Sequence, residues 1–133
     1  AQTLCISERC RFFDAVPYES VADYLNAMDV LVLPSRTTTH WSEQFGRVLV
    51  EAMGCRVAVI GSNSGAIPQV IGDAAAIFPE GNIEALTAIL NRLATNSALL
   101  DSMRERGYRR AIENYSVERL AERTLEIWGE LTR

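Results

Sequence analysis

Glu43 and Glu51 stand eight residues apart in the stretch Leu33 to Gly54, LPSRTTTHWSEQFGRVLVEAMG, and are the side chains best placed by type and spacing to do chemistry. An apolar run ends at Pro34, a polar loop follows, and Glu43-Gln44-Phe45-Gly46 leads into a helix that should open at about Phe45. Glu43 then sits just before the helix and Glu51 roughly two turns inside it. At about 1.5 Å of rise per residue the carboxylates are about 10 Å apart along the axis, whereas the acid–base pair of a retaining hydrolase needs about 5 Å. Two separate hydrogen-bond acceptors for an elongated, polyhydroxylated ligand fit that spacing better. The free N–H groups of Phe45, Gly46 and Arg47, at the positive end of the helix dipole, would suit an anion, and Gly46 permits close approach. Composition alone leaves a plainer alternative open, in which Glu43 is a favourable acid at a helix start and Glu51 an exposed helix residue.

The elements that must hold these residues read as α/β. Short apolar runs at Arg11–Phe13, Asp29–Leu33, Val57–Ile60 and Ala75–Phe78 alternate with helical stretches between Cys10 and Pro79, the pattern of crossover-connected parallel strands. All four are expected to be buried strands. Val21, Tyr24, Leu25 and Met28 recur at helical spacing, as do Val48, Leu49, Ala52 and Met53, so each helix should lie on a sheet face. Open parallel sheets bind ligands beyond the carboxyl ends of their strands, where the Glu43 loop falls. The C-terminal third turns helical. Asn82 can cap a helix carrying Leu86, Ile89, Leu90 and Leu93, and a second helix runs through Leu99, Leu100 and Met103. Ser116 can cap a last one striped by Val117, Leu120, Ala121, Thr124, Trp128 and Leu131. These stripes are expected to be core contacts. Arg104, Arg106, Arg109 and Arg110, interleaved with glutamates, read as a solvated helix face.

Composition narrows the partners. The 133 residues are 48% hydrophobic and 23% charged, which suits one globular domain with its own core. A net charge of −4 argues against nucleic acid. No run approaches the roughly 18 apolar residues of a membrane span, and no secretory signal pattern opens the chain, so a cytoplasmic setting is expected. All thirteen basic residues are arginine. The cysteines Cys5, Cys10 and Cys55 fit no zinc or CxxC spacing, His40 is the single histidine, and no Asp-x-Asp pair occurs, so reduced thiols and no metal site are expected.

The string EQFGRVLVEAMGC resembles the Glu-x7-Glu signature in the carboxyl-terminal domain of retaining nucleotide-sugar glycosyltransferases of the GT-B fold, family 4. RFFDAVPYESVADYLNAMDVLVLPS before it and VAVIGSNSGAIPQVIGDAAAIFPEGNIEAL after it follow the family's order and spacing, over about residues 10 to 130. The resemblance implies a Rossmann-like, three-layer half of a GT-B fold. Residues 1–133 would form a partial carboxyl-terminal domain, with a donor-site core at 10–80 and helices at 81–133. It implies that Glu43 is the catalytic-site glutamate contacting the donor hexose and that Glu51 accepts from the ribose hydroxyls. The amides of Phe45, Gly46 and Arg47 would face sugar and diphosphate, Val48 would pack beside the nucleoside, and Val16 and Pro17 would hold the base through their backbone.

A nucleotide-diphosphate sugar is thus the implied donor, with retention of configuration and neither cofactor nor metal. The family approaches the diphosphate with an arginine and a lysine from an earlier strand and loop, and this sequence contains no lysine. The segment alone is therefore expected to be inactive, since a helix terminus of about half a charge cannot neutralise a leaving diphosphate. The amino-terminal GT-B domain is its implied partner, and any peripheral membrane association would run through regions outside this sequence. Similar sequences usually have glycine at the place of Arg56, proline at Ala58 and glutamate at Ala66. A left-handed Arg56 would cost roughly 1 kcal/mol relative to glycine. Two other functions stay open: a non-catalytic module that self-associates as a homodimer through an uncovered sheet edge and apolar face, and part of a nucleotide-sugar epimerase of the same fold. A response-receiver domain needs a lysine and is excluded.

Overall fold

The computed structural model describes residues 5–132. Three parallel strands, β1 (Val30–Leu33), β2 (Ala58–Ser62) and β3 (Ala76–Phe78), pair in the order β1-β2-β3, with Val30 opposite Ala58 and Ile60 opposite Ala76. Around them run α1 (Val21–Asn26), α2 (Arg47–Gly54), α3 (Ile67–Ile71), α4 (Ile83–Thr95), α5 (Ser97–Tyr115) and α6 (Val117–Leu131).

The central strand explains the layering. All five residues of β2 are buried, because its alternate side chains serve two different cores. Val57 and Val59 join Leu25, Leu49, Met53, Ile67 and Ile71 on the face covered by α1, α2 and α3. Ala58 and Ile60 join Phe78, Leu93 and Met103 on the face covered by α4 and the first half of α5. The architecture is three-layered α/β, as expected. Gly61 lets α3 sit directly on β2: a Cβ there would come within 2.3 Å of Ile67 Cγ2. The expected caps form, with Asn82 Oδ1 accepting from Ala85 N at 2.9 Å and Ser116 Oγ from Arg119 N at 3.2 Å.

Several expectations are corrected. Arg11–Phe13 has no regular secondary structure and joins no strand, and Phe12 is 88% exposed. The aromatic pair suits a strand, but no neighbouring strand among the described residues supplies the ladder that would make it one. β1 is half-buried rather than buried, since it lies at a sheet edge, and Ile77 on the opposite edge strand is exposed. Met28 falls beyond the end of α1 and is exposed. The stripe on α6 is not core: no residue of that helix is buried, and Val117 and Leu131 are each 78% exposed. The helix packs beside α5 and touches little else, so its apolar face has no second surface to meet.

Nor is the arginine cluster uniformly solvated. Arg110 donates from Nε to the Val70 carbonyl at 2.7 Å and from Nη2 to the Gln69 carbonyl at 2.6 Å, capping the carbonyl end of α3. Arg104 reaches Asp29 at 2.6 Å, tying α5 to the start of β1. Arg56 does adopt the left-handed conformation, with φ 57°. Among the described residues no helix is long and apolar enough to cross a membrane, and Cys5, Cys10 and Cys55 are free thiols.

Candidate functional site

The three strands all end at one rim, and each is followed by small polar residues: Ser35 and Thr37 after β1, Asn63 and Ser64 after β2, Glu80 after β3. These residues bind one another. Buried Ser62 donates from Oγ to the Ser35 carbonyl at 2.6 Å, and Ser35 Oγ donates to Glu43 Oε2 at 2.9 Å. Ala66 N donates to the Glu43 carbonyl at 2.8 Å. Glu43 is thus held by its side chain and its backbone, and it lies half-buried at the rim. Gly65 makes the backbone contact possible: it has φ 52°, and a Cβ there would fall 2.0 Å from the Glu43 carbonyl oxygen.

The helix that follows starts two residues later than expected, at Arg47. Gly46 precedes it in a left-handed turn, φ 78°, where a Cβ would press on Leu49 and Leu33. Phe45 and its amide therefore remain outside the helix, and its ring packs edge-on against Tyr115 at 5.7 Å. No side chain caps α2, so the first-turn amides of Arg47 and Val48 carry the free donors and the positive dipole end. Val48 itself is half-buried against the α2 core, and the Arg47 side chain is exposed.

With α2 opening at Arg47, Glu51 stands about one turn inside rather than two. Its side chain is half-buried, with no hydrogen bond or ion pair from its carboxylate among the described residues. It lines a cavity of about 390 Å³ between α1 and α2 together with Tyr18, Glu19, Val21, Leu25 and Cys55. Val16 and Pro17 immediately precede that cavity, in an extended segment rather than after a strand; Val16 is half-buried and Pro17 exposed. The two glutamates thus serve separate surroundings. Glu43 belongs to the polar rim and Glu51 to an apolar hollow, with the open start of α2 between them.

Sequence reasoning missed Ser35, Thr37, Asn63 and Glu80. Their signal was present, in that each lies within four residues of the end of an apolar strand run, but their pairing across distant positions was not. Glu80 takes the Thr37 amide on Oε2 at 2.6 Å and the Thr37 hydroxyl on Oε1 at 2.7 Å. These two bonds, aided by the charge of Arg36, hold the Glu80 carboxyl below its ordinary range. A second polar hollow, of about 330 Å³, opens on the loop Thr37–Ser42, where Thr38 N donates to the Trp41 carbonyl at 2.7 Å. A further concavity, of about 540 Å³, lies at the amino end of β1 and contains none of these residues. Among the described residues, no three His, Cys, Asp or Glu side chains gather as a metal site.

Comparison with known proteins gives this rim a context. The model of the family described as "Glycosyl transferases group 1" matches residues 1–110. The chain belongs to that family. Over 128 residues the chain is 34% identical to alpha-maltose-1-phosphate synthase of Mycolicibacterium smegmatis, covering 90% of this chain and 32% of that protein. Sucrose-phosphate synthase of Thermosynechococcus elongatus superposes with a TM-score of 0.83 at 25% identity, covering 98% of this chain and 32% of the other. A structure of Anabaena HepE in complex with UDP and glucose shares the fold, with a TM-score of 0.78 at 21% identity over 97% of this chain and 34% of that one. These neighbours bear out the GT-B, Rossmann-like α/β fold. The group 1 chain described here spans about a third of the length of the relatives it matches.

Proposed function

We propose that this chain is the donor-binding part of a retaining glycosyltransferase that moves a hexose from a nucleotide-diphosphate sugar to an acceptor. One observation carries the reading: a glutamate fixed by side chain and backbone at the strand exits lies beside the uncapped start of α2, with a second glutamate free of partners one turn inside that helix. Glu43, its Oε2 oriented by Ser35, accepts from hexose hydroxyls. The amides of Gly46, Arg47 and Val48 face the diphosphate at the positive end of the helix. Glu51 accepts from the ribose diol, and the hollow between α1 and α2, entered past Val16 and Pro17, receives the nucleoside. In transfer, the bond from the anomeric carbon to the diphosphate breaks and an acceptor oxygen takes its place with the same configuration. No metal held by this chain enters the scheme. The leaving diphosphate needs more positive charge than one helix start supplies, and the amino-terminal part of a GT-B enzyme would carry the acceptor. Isolated, the 133-residue chain binds donor and does not turn it over.

Calorimetric titration of wild type and Glu51→Ala with UDP-glucose and GDP-mannose tests this. Wild type should bind one of them, and loss of a charge-assisted hydrogen bond should weaken Glu51→Ala by about tenfold or more. Equal binding by both proteins removes the ribose role, and no binding by wild type removes the donor reading. A second reading, a self-associating homodimeric module, is favoured by the uncovered apolar stripe of α6.

A further inference from the structure

We propose that Glu80 is a positioning residue for the donor hexose, acting through Thr37 to fix the loop 34–46 that presents Glu43; this rests on the donor-binding reading above. Glu80 leaves the end of β3 and meets a loop that leaves the end of β1, a pairing across 43 positions of sequence. Its two carboxylate oxygens take the two donors of Thr37, at 2.6 Å from the backbone amide and 2.7 Å from the hydroxyl. The Thr37 hydroxyl also lies 2.9 Å from Ser64 Oγ. A hydroxyl has one proton, and that of Thr37 is committed to Glu80, so Ser64 is the donor in the second bond. Ser64 is fully buried.

Next to it, Gly65 and Ala66 grip the Glu43 backbone. The carboxylate, the loop and the second strand exit therefore form one lattice, with Glu80 at one end and Glu43 at the other. Glu80 is itself set in place, since its amide donates to Asn63 Oδ1 at 2.8 Å.

A long loop that must hold one carboxylate against a sugar loses affinity if it has to be ordered on binding. The Glu80 clasp orders it beforehand. Nothing in this arrangement reaches Glu51 or the hollow between α1 and α2, so the consequence is selective: the clasp should matter for the sugar and not for the nucleotide.

The experiment compares UDP-glucose with UDP as paired probes, or GDP-mannose with GDP if wild type prefers that donor. Glu80→Gln replaces one acceptor with an NH2 donor facing Thr37, and Thr37→Val removes the hydroxyl at constant shape. Both should weaken nucleotide-sugar binding about threefold to tenfold while nucleotide binding stays within about twofold. Thr37→Ser, which keeps both donors, should restore the wild-type ratio, and Glu51→Ala should weaken both ligands together. In wild type the Thr37 amide should be protected from hydrogen exchange, and in Glu80→Gln it should lose that protection. Equal weakening of both ligands, an unchanged ratio in both variants, or a Thr37 amide that exchanges freely in wild type each overturns the proposal. If wild type binds neither member of the pair, the donor reading fails and this role goes with it; if wild type binds normally and only the ratio fails to move, the donor reading stands and the clasp alone is refuted.

Discussion

Helices α2 and α6 carry apolar stripes that are equally legible in the sequence, yet α2 is sunk into the molecule and α6 lies open to water. Leu49, Ala52 and Met53 of α2 are wholly buried under β2, α3 and α5, whereas Leu120, Leu125 and Trp128 of α6 are all more than half exposed. A stripe at helical spacing reports that one face is apolar. What covers that face is decided by the rest of the architecture. α2 is clamped between a strand on either side in sequence and a glycine on α5: Gly107 brings that helix within reach of Met53, where a Cβ would stand 3.1 Å from Met53 Cγ. α6 follows the last layer and packs chiefly along α5.

The sharpest way to break the comparison is the same truncation on both helices. Leu49→Ala should lower unfolding free energy by about 3 kcal/mol, the usual cost of a cavity at a closed core position. Leu125→Ala should change it by no more than about 0.5 kcal/mol, because the side chain is already solvated and alanine is a good helix former. Urea unfolding at two protein concentrations measures both. A Leu125→Ala cost above about 1 kcal/mol that grows with protein concentration would mean that a second copy covers α6, and the homodimeric reading would then gain over the open helix seen here.

A second paired substitution has opposite expected signs in the two regions. Gly65→Ala puts a methyl into the Glu43 carbonyl and forces a left-handed alanine, so it should destabilise by about 2 kcal/mol or more. Gly129→Ala, in the last turn of α6 with nothing within 4 Å of the added carbon, should stabilise by up to about 0.5 kcal/mol through helix propensity. Thermal unfolding of the two variants decides it. A neutral Gly65→Ala would show that the rim around Glu43 is loose, and the tight backing assigned to that carboxylate would have to be given up.

Local chemistry made much of the fold readable. Asn82 and Ser116 are caps because a short polar side chain before an apolar periodic run has a free amide waiting for it. β2 could be recognised from Val57–Ile60 because a strand buried on both faces is apolar along most of its length. Arg11–Phe13 and α6 misled for one shared reason: their patterns need a partner, and a pattern does not contain its partner. The site divides the same way. The spacing of Glu43 and Glu51 and the glycine at 46 were visible in one short string, while the helix start was displaced from Phe45 to Arg47 by the left-handed turn that Gly46 allows. The hold on Glu43 was invisible because Ala66 bonds it from beyond β2, while Ser62 and Glu80 steady its loop through Ser35 and Thr37, in bonds that no local period encodes.

The smallest expected effect concerns the end of α2, where Arg56 occupies the position that favours glycine. Val57 N donates to the Ala52 carbonyl at 2.9 Å and Arg56 N to the Met53 carbonyl at 3.0 Å, the paired bonds of a Schellman ending, with Val57 and Ala52 in the same core cluster. At φ 57° an arginine pays about 1 kcal/mol relative to glycine. Its guanidinium lies 3.8 Å over the centre of the Tyr108 ring on α5, a contact that returns about 0.5–1 kcal/mol, and it also pairs with Glu105. Arg56→Gly should therefore leave stability within about 0.5 kcal/mol of wild type, while Arg56→Ala keeps the strained backbone, loses the ring contact and should cost about 1 kcal/mol. Urea unfolding of both variants, and of each combined with Tyr108→Leu, reads the coupling directly. Identical stabilities for Arg56→Gly and Arg56→Ala would show that the backbone strain is not felt; equal losses from Tyr108→Leu in wild type and in Arg56→Gly would show that the ring does not compensate it. α6 has no comparable device, since none of its described residues takes a positive φ, so of these two helices α2 alone has a left-handed ending secured by a neighbouring element.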